Sequence, residues 1–228
     1  MTLKFLDLSG RIQPYEEIFR EIIRVTTIQE VYFFVVGAIA RDLILGFGYG
    51  IESKRLTEDV DCGIQLANWQ QFELLKGAII QGEQFTSDLR ETQRLWHTNG
   101  IKIDIVPFGA IENAGEIVWP PDGEIAMVTL GLNEAHKDTI RVRFANDVEV
   151  DVASLPGQAL MKLIAWNDQP YRRGKDAVDL GFIMSNYLDA GNADRILGES
   201  ADHMDLLTDD FDHYLTGSRL LGRDVGRL

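Results

Sequence analysis

Hydrophobic and polar positions alternate with two different periods along this chain, and these periods predict its elements. Apolar residues three or four apart, the spacing of an amphipathic helix, mark three segments: 14–27, 38–47 and 68–80. Uninterrupted or alternating apolar runs, typical of buried strands, mark three others: 31–36, 59–64 and 101–108. Residues 83–97 are predicted to form a hairpin, whereas 109–135 show no clear pattern.

The second half of the chain changes from strands to helices. Two strands, 139–144 and 148–153, are predicted around a turn at Asn146-Asp147. Helical spacing then continues to the end of the chain, beginning with a helix that Pro156 opens. We therefore predict an α/β (α+β) fold: a mixed sheet flanked by helices, with a core over 1–154 that carries extra strands and a helical domain over 155–228.

Composition narrows the class of protein. The chain has 228 residues, of which 45% are apolar and 25% are charged, and these values are typical of a globular domain. It contains no apolar run long enough to span a bilayer and no signal peptide, so we expect a cytoplasmic protein with no membrane partner. The single cysteine, Cys62, rules out an intrachain disulfide. A formal charge of −14 disfavours extended DNA binding.

Three carboxylates on the predicted strands are the strongest candidates for chemistry. Asp59 and Asp61 are two residues apart, so they project from one face of their strand while Val60 points into the core. Asp104 lies between two isoleucines on the third strand, which also places it on the face opposite the packed residues. If the two strands are neighbours, the three carboxylates converge.

Convergence of three negative charges requires compensation. Carboxylates about 4 Å apart repel each other by several kcal/mol at an effective dielectric constant of about 20. Oxygen ligands with open positions suit Mg²⁺, or Mn²⁺, and two such ions can support an in-line phosphoryl displacement. Asp59, Asp61 and Asp104 are therefore both the candidate catalytic residues and the candidate metal ligands.

A glycine turn supplies a candidate phosphate site. Gly37 separates the strand over 31–36 from the helix after it, and such a glycine lets a backbone N–H approach an anion. Arg41, one turn into that helix, and Arg55 are candidates to reach the same anion.

Each of these features also has a simpler interpretation. A lone D-x-D is usually a solvated strand face, a lone glycine is usually a turn, and Asp104 could be a sheet-edge residue. Lys162, with apolar neighbours on both sides, could lie on the solvent side of its helix. Lys175 and Asp179 are spaced for a surface ion pair.

The sequence resembles a known superfamily at these positions. The segment VVGAIARDLILGFGYGIESKRLTEDVDCGI resembles the first motif of the DNA polymerase β nucleotidyltransferase superfamily, a glycine turn followed by D-x-[DE]. IKIDIV resembles the strand of its third carboxylate. VEVDVASLPGQALMKLIAW and RRGKDAVDL further resemble the AbiEii-type branch, which includes toxins of abortive-infection and type IV toxin–antitoxin systems.

The resemblance implies roles for individual residues. Asp59 and Asp61 would bind the metals that carry a nucleoside triphosphate, and Asp104 would complete the second-metal site. The remaining implied nucleotide contacts are Gly37 and Ala38 at the β- and γ-phosphates, and Lys162, Lys175 and Asp176 in the cleft. Ala38 departs from the usual Gly-Gly or Gly-Ser, because it keeps a backbone donor but lacks a hydroxyl.

Three functions follow from this resemblance. The first is a Mg²⁺-dependent nucleotidyltransferase that acts on an acceptor such as an RNA end, a protein or a small molecule, with an antitoxin protein as a further partner. The second is a catalytically degraded nucleotide-binding or partner-binding module, which Ala38 suggests. The third is a tRNA 3′-end nucleotidyltransferase, because residues 37–42, GAIARD, resemble the GGxxRD of that relative.

Overall fold

The computed structural model describes residues 5–9, 14–53, 57, 59–120, 123, 125–199, 201–207 and 209–228. Arg55, one of the predicted anion contacts, lies outside the described residues. The strands are β1 (Phe5–Asp7), β2 (Phe33–Val36), β3 (Asp59–Gln65), β4 (Phe85–Ser87), β5 (Arg94–His97), β6 (Lys102–Phe108), β7 (Glu116–Val118), β8 (Ala126–Val128), β9 (Thr139–Arg143) and β10 (Glu149–Ala153). The α-helices are α1 (Glu16–Ile28), α2 (Gly37–Arg41), α3 (Trp69–Gln81), α4 (Leu132–Ala135), α5 (Leu155–Asp168), α6 (Gly174–Asn186), α7 (Asp194–Leu197) and α8 (His213–Val225).

A mixed sheet of eight strands organises the chain in the order β1-β9-β10-β2-β3-β6-β5-β4. At its centre β3 pairs antiparallel with β2 and parallel with β6, while β5 extends the sheet antiparallel to β6. β3 and β6 are thus neighbouring strands, as the predicted convergence of the three carboxylates requires. The mixed sheet flanked by helices confirms the predicted fold class.

Alternation along the strands divides the molecule into two layers. Val60, Cys62 and Ile64 of β3 are fully buried in the large core, which also holds the apolar faces of α1 and α3. A smaller cluster on the other face contains Phe34 of β2 and Phe108 of β6, and α4 packs against it. One face of the central strands is thereby sealed by core, and the other carries the polar residues.

Capping side chains fix where two of the long helices begin. The Ser154 hydroxyl accepts a hydrogen bond of 3.1 Å from the backbone N–H of Gly157 at the start of α5. The Asp212 carboxylate accepts one of 2.7 Å from the backbone N–H of Leu215 at the start of α8. α5 therefore starts directly after β10, where the sequence predicts a change from strands to helices. The division into domains at that point stays a prediction.

Two segments differ from the sequence prediction. The helix predicted over 38–47 is α-helical only to Arg41 and continues as a π-helix over Asp42–Gly48, a widened turn that glycines at its end accommodate. Residues 109–135, which show no clear pattern, contain the hairpin β7–β8 and the short helix α4. Their short elements give too few periods for alternation to be recognised. None of the helices in the described chain combines the length and apolar character needed to cross a bilayer.

A buried ion pair holds the C-terminal helix in place. The Asp224 carboxylate of α8 accepts hydrogen bonds from the Arg195 guanidinium, at 2.5 and 2.8 Å, and from the Tyr187 hydroxyl, at 2.6 Å. All three side chains are buried, so removing the charge of one partner leaves the other uncompensated.

We expect Asp224→Asn to lower the free energy of unfolding by about 2–4 kcal/mol, because it leaves the buried Arg195 charge without its counter-ion. Asp205→Asn is the matched control: Asp205 pairs with Arg223 on the surface, and its loss should cost less than about 1 kcal/mol. Urea denaturation of both variants measures the difference. Equal effects would contradict the structural role given to Asp224.

Candidate active site

The turn after β2 brings the backbone of Gly37 against a carboxylate. Gly37 has a φ of +72°, in the left-handed region that favours glycine. A Cβ atom at this position would lie 2.0 Å from Oδ2 of Asp61 and 2.8 Å from its Cγ. Only glycine therefore allows the turn to approach Asp61 this closely. The sequence motif of a glycine followed at a distance by D-x-D corresponds to a direct contact in the fold.

The three predicted carboxylates lie on one face of two adjacent strands. Asp61 is aligned with Val36 on β2 and with Asp104 on β6, so a single row of side chains crosses the sheet. Asp59, two residues earlier on β3, projects from the same face and is aligned with Lys102. The strand pairing thus places the three aspartates on the same face of neighbouring strands, as the sequence predicts.

Burial and like charges act together on Asp61. Burial, followed by the negative charges of Asp59 and Asp104, raises the pKa of Asp61 to about 7. The positive charges of Lys162 and Arg94 act in the opposite direction, and the rise exceeds their effect. Asp61 is therefore a carboxylate whose charge the protein itself compensates only in part.

Asp104 has a cationic partner that the sequence analysis missed. Arg94 on β5 stands directly opposite Asp104 in the antiparallel pair β5–β6. Its Nε donates to Oδ1 at 2.8 Å and its Nη2 donates to Oδ2 at 2.7 Å. Following the predicted hairpin over 83–97 onto the third strand would have placed these two residues side by side, but only with the register known.

Carboxylate oxygens are suitable ligands for a hard divalent cation, but the acidic side chains that the structure describes at this site do not form a complete ligand set. Within the described ranges, no three acidic, histidine or cysteine side chains lie close enough to hold a metal ion. Asp59 and Asp61 present oxygen ligands on one strand face, and the raised pKa of Asp61 marks negative charge in need of a counter-ion. These two residues fit Mg²⁺ or Mn²⁺, whereas the oxygens of Asp104 are bonded to Arg94.

A cavity of about 400 Å³ opens beside this face of the sheet. The sheet contributes Gly37, Asp61 and Val106, while α5 contributes Met161 and Lys162. Further lining residues come from the β7–β8 hairpin and from the end of α5 and the α5–α6 connection: Glu116, Ala126, Met127, Val128, Asp168, Gln169 and Arg173. The glycine turn, one of the paired aspartates and a lysine of the helical region therefore share one space.

Lys162 is held at this cavity by two carboxylates of α6. Its Nζ donates to Oδ1 of Asp176 at 2.9 Å and to Oδ2 of Asp179 at 2.7 Å. The ammonium group of Lys162 is therefore hydrogen-bonded to two carboxylates of α6 and does not simply point into solvent. Asp179 is only 2% exposed, so the alternative of a surface ion pair with Lys175 is wrong for its carboxylate.

Arg41 lies inside the protein. It is 1% exposed, and its guanidinium bonds to Asp179 and to Asp42, the latter at 2.6 and 2.8 Å. The structure therefore places Arg41 in a buried network that joins α2 to α6, and not at the surface of the cavity where the sequence prediction puts an anion contact. Asp179 is the second residue of this site that the sequence analysis undervalued, because only helix packing reveals its two cationic partners.

The other predicted nucleotide contacts lie close to the cavity. Asp176 lines it, and Lys175 lies on an adjoining pocket of about 350 Å³ together with Lys162 and Arg173. Ala38 follows Gly37 in the first turn of α2. The roles of these residues in nucleotide binding stay predictions.

Substituting Gly37 should disrupt the contact with Asp61. We expect Gly37→Ala to lower the free energy of unfolding by about 2–4 kcal/mol, because it adds a clash to an unfavourable φ. Gly77→Ala is the matched control: Gly77 lies in α3 with nothing within 4 Å of its added Cβ, so alanine should stabilise that helix slightly. Thermal or urea unfolding measures both variants, and an unaffected Gly37→Ala protein would refute the contact.

The raised pKa of Asp61 makes stability depend on pH. The pKa of Asp61 is higher in the folded than in the unfolded protein, so protonated Asp61 stabilises the folded state relative to ionised Asp61. This stabilisation is complete in acid and is lost as the pH rises through about 7. Asp61→Asn does not titrate, so its stability relative to the wild type should increase by about 2–3 kcal/mol between pH 4.5 and 8 without divalent cations. Urea midpoints in EDTA measure this difference, and a pH-independent difference would contradict the shift.

Several solved structures resemble the chain at low similarity. An antigenic nucleotidyltransferase-like protein from Paracoccidioides brasiliensis has 16% identity and a TM-score of 0.44, over 84% of this chain and 89% of that one. ANT(2″)-Ia in complex with adenylyl-2″-tobramycin has 16% identity and a TM-score of 0.41, over 80% and 99%. The Thermotoga maritima CCA-adding enzyme has 14% identity and a TM-score of 0.38, over 96% and 53%. Similarity at this level identifies neither a substrate nor a mechanism.

A match to a family model, unlike the similarity to single structures, identifies the family of this chain. No curated protein sequence matches the chain. The family model described as the nucleotidyl transferase AbiEii toxin of type IV toxin–antitoxin systems matches residues 24–218, which include β2, β3, β6, α5 and α6. Because this match covers most of the sequence and every part of the site, the chain belongs to the AbiEii nucleotidyltransferase family.

Proposed function

We propose that this protein transfers a nucleoside monophosphate from a nucleoside triphosphate to an acceptor, in a reaction that depends on a divalent cation. The observation that carries the proposal is the contact of Gly37 with Asp61 at a cavity that Lys162 also lines. A turn that exposes backbone, an under-compensated carboxylate and a fixed ammonium group are the parts that a triphosphate with its cation requires.

The carboxylates of β3 would hold the cation. Asp59 and Asp61 are the proposed ligands, and Asp104 is the proposed third carboxylate. A bound Mg²⁺ or Mn²⁺ supplies neutralisation of phosphate charge and orientation of the reacting oxygens. The raised pKa of Asp61 supports this assignment, since a cation would remove the repulsion that raises it.

Positive side chains on the helical side would bind the phosphates. Lys162 is oriented by Asp176 and Asp179, and Arg173 and Lys175 lie beside it. In a chain with a formal charge of −14, this concentration of cations is a local exception that favours binding of an anion here. Gly37 and Ala38 are proposed to contact the β- and γ-phosphates through their backbone.

The remainder of the cavity suits a nucleobase. Met127, Leu132 and Met161 give it apolar walls. Gln158 also lines it, and its Nε2 donates to the carbonyl oxygen of Ala153 at 2.8 Å. That bond fixes the amide orientation, and Oε1 of Gln158 has no hydrogen-bond partner among the described residues.

The proposed transfer step is an in-line displacement at the α-phosphorus. The acceptor hydroxyl oxygen attacks the α-phosphorus, a new P–O ester bond forms, and the bond from the α-phosphorus to the bridging oxygen breaks. The electron pair of that bond leaves with pyrophosphate. Asp104, once Arg94 no longer occupies its oxygens, is proposed to receive the hydroxyl proton. Positioning and charge compensation, rather than covalent catalysis by the protein, supply the acceleration.

Family membership extends the proposal to the cellular role. Because the family is described as toxins of type IV toxin–antitoxin systems, we propose that the transferred nucleotide inactivates a cellular acceptor and that an antitoxin protein is a partner. An RNA end, including a tRNA 3′ end, a protein and a small molecule are the acceptor classes to test.

A degraded, non-catalytic nucleotide-binding module is the second candidate. The observation that favours it is Ala38, which stands where the resemblance implies Gly or Ser and lacks the hydroxyl that Ser would supply. This candidate predicts binding of the triphosphate without transfer.

The proposal is tested with each α-labelled nucleoside triphosphate, Mg²⁺ and cell lysate. We expect label to enter one acceptor class, and Asp59→Asn or Asp61→Asn to reduce transfer at least about 100-fold while the protein stays folded. Asp151→Asn is the matched control, because Asp151 lies on β10 of the same sheet and pairs with Arg141. A ligand at about 100 times its Kd should also stabilise the wild type by about 2.7 kcal/mol.

The outcomes separate the candidates. Labelled product with the wild type and Asp151→Asn alone supports the transferase. Stabilisation by Mg²⁺ with triphosphate, without any labelled product, supports the degraded module. Absence of both binding and transfer would refute the proposed function altogether.

A further inference from the structure

Arg94 uses both oxygens of Asp104. The guanidinium and the carboxylate stand opposite each other on β5 and β6, with bonds of 2.8 and 2.7 Å in the bidentate geometry that makes such pairs strong. Asp104 is 9% exposed, so little water competes for it. The same row of side chains continues across β6 to Asp61. Arg94 is therefore a cation within the chain that lies beside the proposed metal ligands.

A divalent cation and Arg94 compete for Asp104. Two positive groups on one carboxylate repel each other, and the lone pairs that would coordinate a metal ion are the ones that accept the bonds from Arg94. Asp59 and Asp61 have no such bidentate arginine among the bonds that the described chain forms. The two strands thus offer one cation position at β3 and a second, obstructed one at β6.

The hairpin that carries Arg94 offers other negative groups. The turn between β4 and β5 contains Asp88 and Glu91, and the negative charges of both act on Arg94. Asp88 already accepts a hydrogen bond of 2.8 Å from Nε1 of Trp96 on the same hairpin. A guanidinium that leaves Asp104 would therefore have carboxylates within its own hairpin to approach. Asp88 and Glu91 are thus the carboxylates of this hairpin whose charges act on Arg94 besides Asp104.

We propose that Arg94 is a positioning residue that keeps the second cation site closed in the free protein, so that one divalent cation binds at Asp59 and Asp61 and a second binds only when Arg94 leaves Asp104. The inference rests on the proposed function, because it concerns the same cation ligands. It goes beyond that function by assigning the control of cation number to a named residue outside the ligand set.

The test counts bound Mn²⁺ directly by electron paramagnetic resonance, without nucleotide. We expect the wild type to bind one ion and Arg94→Gln to bind two, the second at least about tenfold more tightly than to the wild type, as loss of a bidentate charged bond predicts. Arg90→Gln is the matched control, since it removes the same charge four residues away and should still bind one ion. Arg94→Lys keeps the positive charge but cannot form the two parallel hydrogen bonds of a guanidinium, so its second ion should bind with intermediate affinity.

Asp104→Asn provides a second measurement that does not depend on the folding of the Arg94 variants. With Asp104 closed by Arg94, this substitution should leave the single wild-type Mn²⁺ site intact, and Arg94→Gln/Asp104→Asn should return to one ion. Two ions on the wild type, or one ion on a folded Arg94→Gln protein, would overturn the inference while leaving the cation assignment in place. No Mn²⁺ bound to either protein would overturn both.

Discussion

Compensation of negative charge on one face of the central sheet is the constraint on which the site depends. Strand alternation forces Asp59, Asp61 and Asp104 onto that face, because the residues between them belong to the core. Arg94 compensates the charge of Asp104. Burial of Asp61, followed by the negative charges of Asp59 and Asp104, raises the pKa of Asp61 to about 7. The alternation that builds the core of the sheet therefore also places these carboxylates next to one another.

The same constraint joins the sheet to the helices. Asp179 on α6 is buried between Arg41, which follows the glycine turn, and Lys162, which lines the cavity. A buried carboxylate with two cationic partners is strongly destabilised when one partner is lost, so it keeps the helices in one orientation relative to the turn. The network fixes Lys162 at the cavity that Asp61 also lines.

Family membership and geometry contribute different parts of the functional argument. The AbiEii match establishes a nucleotidyltransferase family for residues 24–218. The structure adds a glycine turn in contact with Asp61, a cavity and an ordered lysine, which together make transfer the best-supported proposal. It also shows features that family membership alone would not indicate, notably the arginine on the third carboxylate and the amide of Gln158 in the cavity wall.

The local framework of this protein can be predicted from the order of its residues alone. Two-residue alternation fixed which faces Asp59, Asp61 and Asp104 occupy, and the end of an apolar run fixed the turn at Gly37, because both depend on neighbouring residues in the chain. Which charged side chains pair with each other depends on how the strands and helices pack. The pairing of Arg94 with Asp104 required the order and register of the strands. The hairpin over the cavity and the burial of Asp179 required packing between segments far apart in sequence, which no local period encodes.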